Sequence, residues 1–74
     1  MSGGRRFLIV IEKTVTGLSA YAPDVRGCVA TGRTREEVQR EMADAIAFHI
    51  DGLKAEGMDL PQPSTSSSYV DIPA

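Results

Sequence analysis

The run Arg6–Lys13 (RFLIVIEK) constrains the fold more than any other stretch of this chain. It is rich in β-branched and aromatic residues, which suit the pleated surface of a strand. Phe7, Ile9 and Ile11 fall on one face and Leu8 and Val10 on the other, so both faces need cover. The chain has 74 residues, room for one domain spanning 1–74 and for one helix long enough to act as a lid. A single helix covers one sheet face. The remaining face, carrying Leu8 and Val10 or alternatively Ile9 and Ile11, is left for a second copy of the chain, and the sequence predicts a homodimer or higher oligomer.

The order of elements follows from turn chemistry. Residues 1–5 form a loose start. Thr14–Gly17 (TVTG) links the first strand to a second, Leu18–Pro23. Pro23-Asp24 opens a loop, because proline lacks a ladder donor and aspartate favours turns. A third short strand covers Cys28–Thr31, punctuated by Gly27 and Gly32. Thr34-Arg35-Glu36-Glu37 spells a capping box, in which the Thr34 hydroxyl accepts from the Glu37 amide and the Glu37 carboxylate reaches back to the Thr34 amide. A helix is expected over Arg35–Glu56, stopped by Gly57. Its apolar arc holds Val38, Met42, Ala45, Ile46, His49, Ile50 and Leu53. Ser64–Ser68 is a small polar linker before a short last strand at Tyr69–Pro73. The order β-β-β-α-β predicts an α+β fold: a small antiparallel sheet of three to four strands with one long helix packed on one face.

Composition removes several function classes. Eight Lys and Arg stand against ten Asp and Glu, for a net charge of −2, which opposes general nucleic-acid affinity. The single cysteine, Cys28, leaves no intramolecular disulfide or cysteine-based zinc site, and its place on a short strand suits a small buried hydrophobe. The longest apolar run, Phe7–Ile11, is shorter than a signal-peptide core or a membrane span, so the expectation is a cytoplasmic protein without a membrane partner. His49 lies in the apolar arc and reads as a packed residue. No set of residues has metal-ligand spacing, no cofactor is implied, and Glu12, Asp24 and Asp71 are carboxylates whose spacing predicts no convergence into a catalytic centre. The polar back of the helix is more informative. Glu37, Glu41, Asp44 and Asp51 share one face, with Arg40 among them, and offer a docking surface to a basic partner.

The stretch from Tyr21 onward carries a family pattern. It reads Tyr21-Ala22-Pro23-Asp24-Val25-Arg26-Gly27-Cys28, then Gly32-Arg33-Thr34-Arg35-Glu36-Glu37, the helix, and Gly57-Met58-Asp59-Leu60-Pro61-Gln62-Pro63-Ser64. In this ordered combination the chain resembles the HicB antitoxin family, in its small N-terminal domain, over nearly its whole length. The resemblance implies a partial ribonuclease-H-like fold and a non-enzymatic role: binding and neutralising a small, basic HicA-type toxin that cleaves RNA. It implies self-association as well. Many family members carry a DNA-binding module after this domain; the sequence ends at Ala74, so the expectation is no DNA binding. The alternative is an oligomeric binding or regulatory module with no toxin partner. In the pattern, Pro23, Asp24, Gly27, Cys28, Gly32, Thr34, Gly57, Pro61 and Pro63 read as structural.

Overall fold

The computed structural model describes residues 5–73. Of the expected loose start at residues 1–5, Met1–Gly4 lie outside the described residues, as does Ala74. Three strands form one antiparallel sheet in the order β1-β2-β3: β1 Val10–Lys13, β2 Leu18–Tyr21 and β3 Val29–Gly32. One helix, α1 Arg35–Ala55, follows. This is the α+β arrangement that the sequence predicts, with shorter strands. Residues 5–9 precede the β1 ladder, and Ala22-Pro23 drops out of β2, where proline has no amide to donate.

Register decides which face is which. Ile11 pairs with Ala20 and Ala20 with Ala30, and these three turn toward the helix. The neighbouring row, Val10–Tyr21–Val29, points the other way. Both hairpins are pinned locally. The Thr14 amide donates to the Gly17 carbonyl at 2.8 Å, and the Gly17 amide to Thr14 Oγ1 at 3.0 Å. In the β2–β3 loop the Cys28 amide donates to the Val25 carbonyl at 3.3 Å, with Gly27 between them at φ +85°. That positive φ at the third turn position is the type II geometry glycine favours.

The helix starts at Thr34, whose Oγ1 accepts from the Glu37 amide at 3.0 Å. The reciprocal half of the cap differs from expectation. Glu37 Oε1 accepts from the Arg33 amide at 2.7 Å, one residue before Thr34. Thr34 is fully extended, with φ −127° and ψ 160°, and Arg33 N–H takes up the carboxylate. The helix ends in a Schellman turn: Met58 N–H donates to Leu53 O at 2.9 Å, Gly57 N–H to Lys54 O at 3.1 Å, and Gly57 has φ +67°.

The core is small. Ala20, Ala22, Val25, Cys28, Val38, Met42 and Ile46 are buried, with Phe7, Ile9, Ile11, Leu18, Ala30 and Ile50 packed around them. Of the expected apolar arc, Val38, Met42 and Ile46 are buried, while Ala45, His49, Ile50 and Leu53 are half-buried. Length explains the difference. Four-residue strands span about 13 Å, whereas a 21-residue helix spans about 32 Å. The second half of α1 therefore overshoots the sheet and rests on the β2–β3 loop, through Val25 and Cys28, and on Phe7 and Ile9.

The expected fourth strand does not form within the chain. Residues 59–73 form no helix, turn or bend and join no ladder, and Tyr69 and Val70 are 99% and 79% exposed. The segment has strand-forming residues, yet its backbone pairs with no strand. Among the described residues, no helix is long and apolar enough to cross a membrane.

Candidate functional site

The exposed back of α1 is built by the same periodicity that builds the core. At 100° per residue, Glu41, Asp44, Phe48 and Asp51 fall within an arc of about 80°. All four are exposed, and Phe48 stands 81% open to solvent. An aromatic ring in that position costs hydration free energy and is out of phase with the buried arc, so intrachain packing does not account for it. Aromatic anchors ringed by polar groups are the usual composition of protein-binding hot spots. Glu37 belongs to the same face in the sequence, but the structure uses it differently. It is half-buried, and its carboxylate is committed to the Arg33 amide. The exposed acidic face therefore consists of Glu41, Asp44 and Asp51 around Phe48, with Glu37 at its structural edge.

Beside Phe48 runs a cleft of about 440 Å³ between the start of β3 and the second half of α1. Val29, Phe48, His49, Leu53 and Met58 line it, and Val29 and Met58 are themselves exposed. Cys28 forms its floor. Its thiol donates to the Ala45 carbonyl at 3.8 Å, and burial pushes its pKa up, which keeps the sulfur protonated and unreactive. Phe48 and this cleft escaped sequence reasoning. The signal was a phenylalanine at a position where the helical period calls for a polar residue.

Asp24 has a role that no local pattern reveals. Its Oδ2 accepts from the Ser64 and Thr65 amides at 2.9 and 2.8 Å, and its Oδ1 accepts from their hydroxyls at 3.1 and 2.7 Å. These four bonds lower its pKa from 3.8 to about 2, the Thr65 hydroxyl contributing most. They tie the β2–β3 loop to the polar linker, so Ser64 and Thr65 are fixed points rather than free coil. The Arg5 guanidinium adds a second tie by donating to the Pro61 carbonyl at 2.8 Å. Gly32 serves close approach: a Cβ there would lie 2.9 Å from Val38 Cγ2. Leu8 and Val10 are half-buried, and Val10 shares the outer sheet row with Tyr21 (43% exposed) and Val29 (68% exposed). Ile9 and Ile11 pack against the core, so the open sheet face is the one bearing Val10.

The carboxylates that catalysis would require stand apart. Glu12 is exposed on β1, Asp24 is saturated by the linker, and Asp71 is exposed near the tail end. Among the described residues, no three His, Cys, Asp or Glu side chains gather as a metal site would require.

Comparison with known proteins adds to this geometry. Residues 7–74 match the family model for the HicB-like antitoxin of bacterial toxin–antitoxin systems. The chain is 31% identical over 75 residues to antitoxin HicB 2 of Photorhabdus laumondii, covering all of this chain and 54% of that protein. It is 35% identical over 65 residues to an uncharacterised 14.9 kDa protein of Haemophilus phage HP1, covering 88% of this chain and 49% of that one. The chain thus spans about half the length of these two relatives. Its structure matches a chain of a solved HicA3–HicB3 toxin–antitoxin complex with a TM-score of 0.63 and 37% identity, covering 80% of this chain and 72% of that one.

Proposed function

The chain belongs to the HicB-like antitoxin family of bacterial toxin–antitoxin systems, and from that premise we propose that it binds a small basic HicA-type toxin and neutralises it by occlusion. The observation that carries the reading is the exposed Phe48 ringed by Glu41, Asp44 and Asp51 on the free back of α1. A toxin surface that holds RNA is cationic, because it must meet phosphates. Three carboxylates present the opposite charge, raise the encounter rate and disfavour other acidic surfaces as partners. Phe48 supplies the apolar anchor, worth about 2 kcal/mol or more when it fills a desolvated pocket. Inhibition follows from occupancy. While the helix face covers the toxin's RNA-binding surface, RNA cannot enter, and no bond-making step is asked of this chain. The work of such a pair belongs in the cytoplasm, where the RNA is.

The test is binding and RNA-cleavage inhibition with a HicA-type toxin. Phe48→Ala should weaken the complex about thirtyfold or more, mostly through faster dissociation. Glu41→Lys with Asp44→Lys should slow association about tenfold at low salt, and less at high salt. Unchanged kinetics in both variants would place the contact elsewhere.

A second reading is favoured by the apolar row Val10–Tyr21–Val29 on the open sheet face. With Leu8 beside it, this face is a contact between copies of the chain, and an oligomeric module with no toxin partner would use it alone. Tyr21→Lys with Val29→Lys tests it: a lower mass by light scattering supports the contact, and an unchanged mass removes it.

A further inference from the structure

The tail Tyr69–Pro73 (YVDIP) has the composition of a strand and the surroundings of none. Tyr69, Val70 and Ile72 are 99%, 79% and 74% exposed. Three large apolar side chains at the surface of one five-residue segment are costly to hydrate. Among the described residues, no backbone–backbone hydrogen bond involves positions 59–73. The segment forms no helix, turn or bend of its own, and its origin is fixed. Asp24 holds Ser64 and Thr65, and Arg5 holds Pro61, so the tail leaves the body from a defined point. The overall shape records the departure. The radius of gyration is 14.3 Å, against about 11 Å for a compact chain of this length. The longest extent is 50 Å, although the helix accounts for only about 32 Å.

The same molecule has an unfilled place with matching chemistry. β1 lies at one edge of the sheet, paired on one side alone, and residues 5–9 precede it without a ladder. Between this edge and α1 opens a cleft of about 690 Å³. Its walls are Phe7, Ile9, Met42, Ile46, Ile50 and Leu60. Arg5 and Lys54 stand at it as cations. In a strand, Val70 and Ile72 project to one side and Asp71 to the other. A fourth strand along β1 would therefore place two aliphatic side chains between sheet and helix and leave the Asp71 carboxylate facing away from the cleft. The chain's own tail does not take this position. Its residues Thr65, Ser66 and Ser67 border a neighbouring cleft with Arg6, Leu8 and Ile11, and beyond them Tyr69, Val70 and Ile72 are exposed.

We propose that Tyr69–Pro73 of one copy inserts as a fourth strand on the β1 edge of a second copy, seating Val70 and Ile72 in the cleft between β1 and α1. The exchange is reciprocal, because each copy offers both tail and cleft, and it closes as a two-fold dimer. It satisfies the tail's backbone groups, covers an open sheet edge and removes exposed apolar surface in one step. Pro73, with no amide to donate, ends the added strand. This contact is separate from the acidic helix face and does not depend on the toxin reading.

The experiment is performed on the full chain. In a sample mixing isotope-labelled and unlabelled copies, contacts between the methyls of Val70 and Ile72 and the side chains of Phe7 and Met42 should appear between different molecules. Amide exchange at residues 70–72 should be slow at high protein concentration and become fast on dilution. Val70→Asp with Ile72→Asp should keep the helix signal by circular dichroism and weaken this self-association on the order of a hundredfold or more. Contacts found only within one molecule would overturn the proposal, as would amides at 70–72 that exchange freely at every concentration.

Discussion

A methyl group added at Gly17 has no space to occupy. Its carbon would stand 2.5 Å from the Gly32 carbonyl oxygen, which belongs to the backbone of the paired strand. An unstrained contact needs about 3.5 Å, so the start of β2 and the end of β3 must part by roughly 1 Å. Gly17 is not among the positive-φ glycines, and the penalty is therefore one of sterics and not of backbone conformation. Overpacking of this kind costs about 2 kcal/mol. For a domain of this size, 1 kcal/mol moves the melting temperature by about 4–8 °C, so Gly17→Ala should lower Tm by about 8–16 °C. Gly52 is the internal control. It lies in α1, and a Cβ there meets nothing within 4 Å. Gly52→Ala should stabilise by about 1 kcal/mol, through helix propensity alone, and raise Tm by about 4–8 °C. The assay is thermal and urea unfolding of both variants beside the wild type at one protein concentration. Shifts of the same sign, or a Gly17→Ala variant as stable as the wild type, would refute the close approach of β2 and β3 on which the sheet register rests.

Three more expectations follow. Thr34→Ala removes the acceptor of the Glu37 amide and should cost about 1 kcal/mol; an unchanged melting temperature would show that Arg33 and Glu37 alone suffice as the cap. Asp24 is depressed to about 2, so its grip on Ser64 and Thr65 should be complete above pH 3.8 and be lost as pH falls through about 2; amide chemical shifts of both residues report it, and a midpoint near 3.8 would mean that the four hydrogen bonds are not formed in solution. Cys28 is buried with a raised pKa, so alkylation at pH 8 should be slow in the native protein and fast in urea. Equal rates would place its thiol at the surface.

Much of the architecture was legible in the sequence because the relevant forces are local. The threonine cap, the glycine stop and the 3.6-residue apolar period each act within a few residues, and they mark α1 to within one residue of its observed end. The TVTG turn and the Pro23-Asp24 break work in the same way. Features that depend on distant partners were not legible. Asp24 meets Ser64 and Thr65 across 40 and 41 positions of sequence, and nothing near Asp24 announces them. Arg33 takes the Glu37 carboxylate because of how the chain enters the helix, a detail the four-letter capping pattern leaves open. The half-burial of Ala45, His49 and Leu53 reflects a sheet shorter than its helix, which periodicity cannot register. Phe48 was visible as a letter, but a search for apolar spacing passes over the residue that breaks the spacing. Tyr69–Pro73 shows the limit of propensity: its residues favour a strand, yet a strand requires a paired neighbour and these residues join no ladder.

The proposed role of this chain is to silence a toxin by covering it. The most direct measurement titrates the purified chain into a HicA-type toxin while RNA cleavage is followed, with complex formation read in parallel by size-exclusion light scattering. Cleavage should stop when toxin and chain reach their binding ratio, both proteins should elute together, and Phe48→Ala should shift the inhibition curve to higher concentration. Cleavage that continues under saturating excess of the chain, with the two proteins eluting apart, would contradict it.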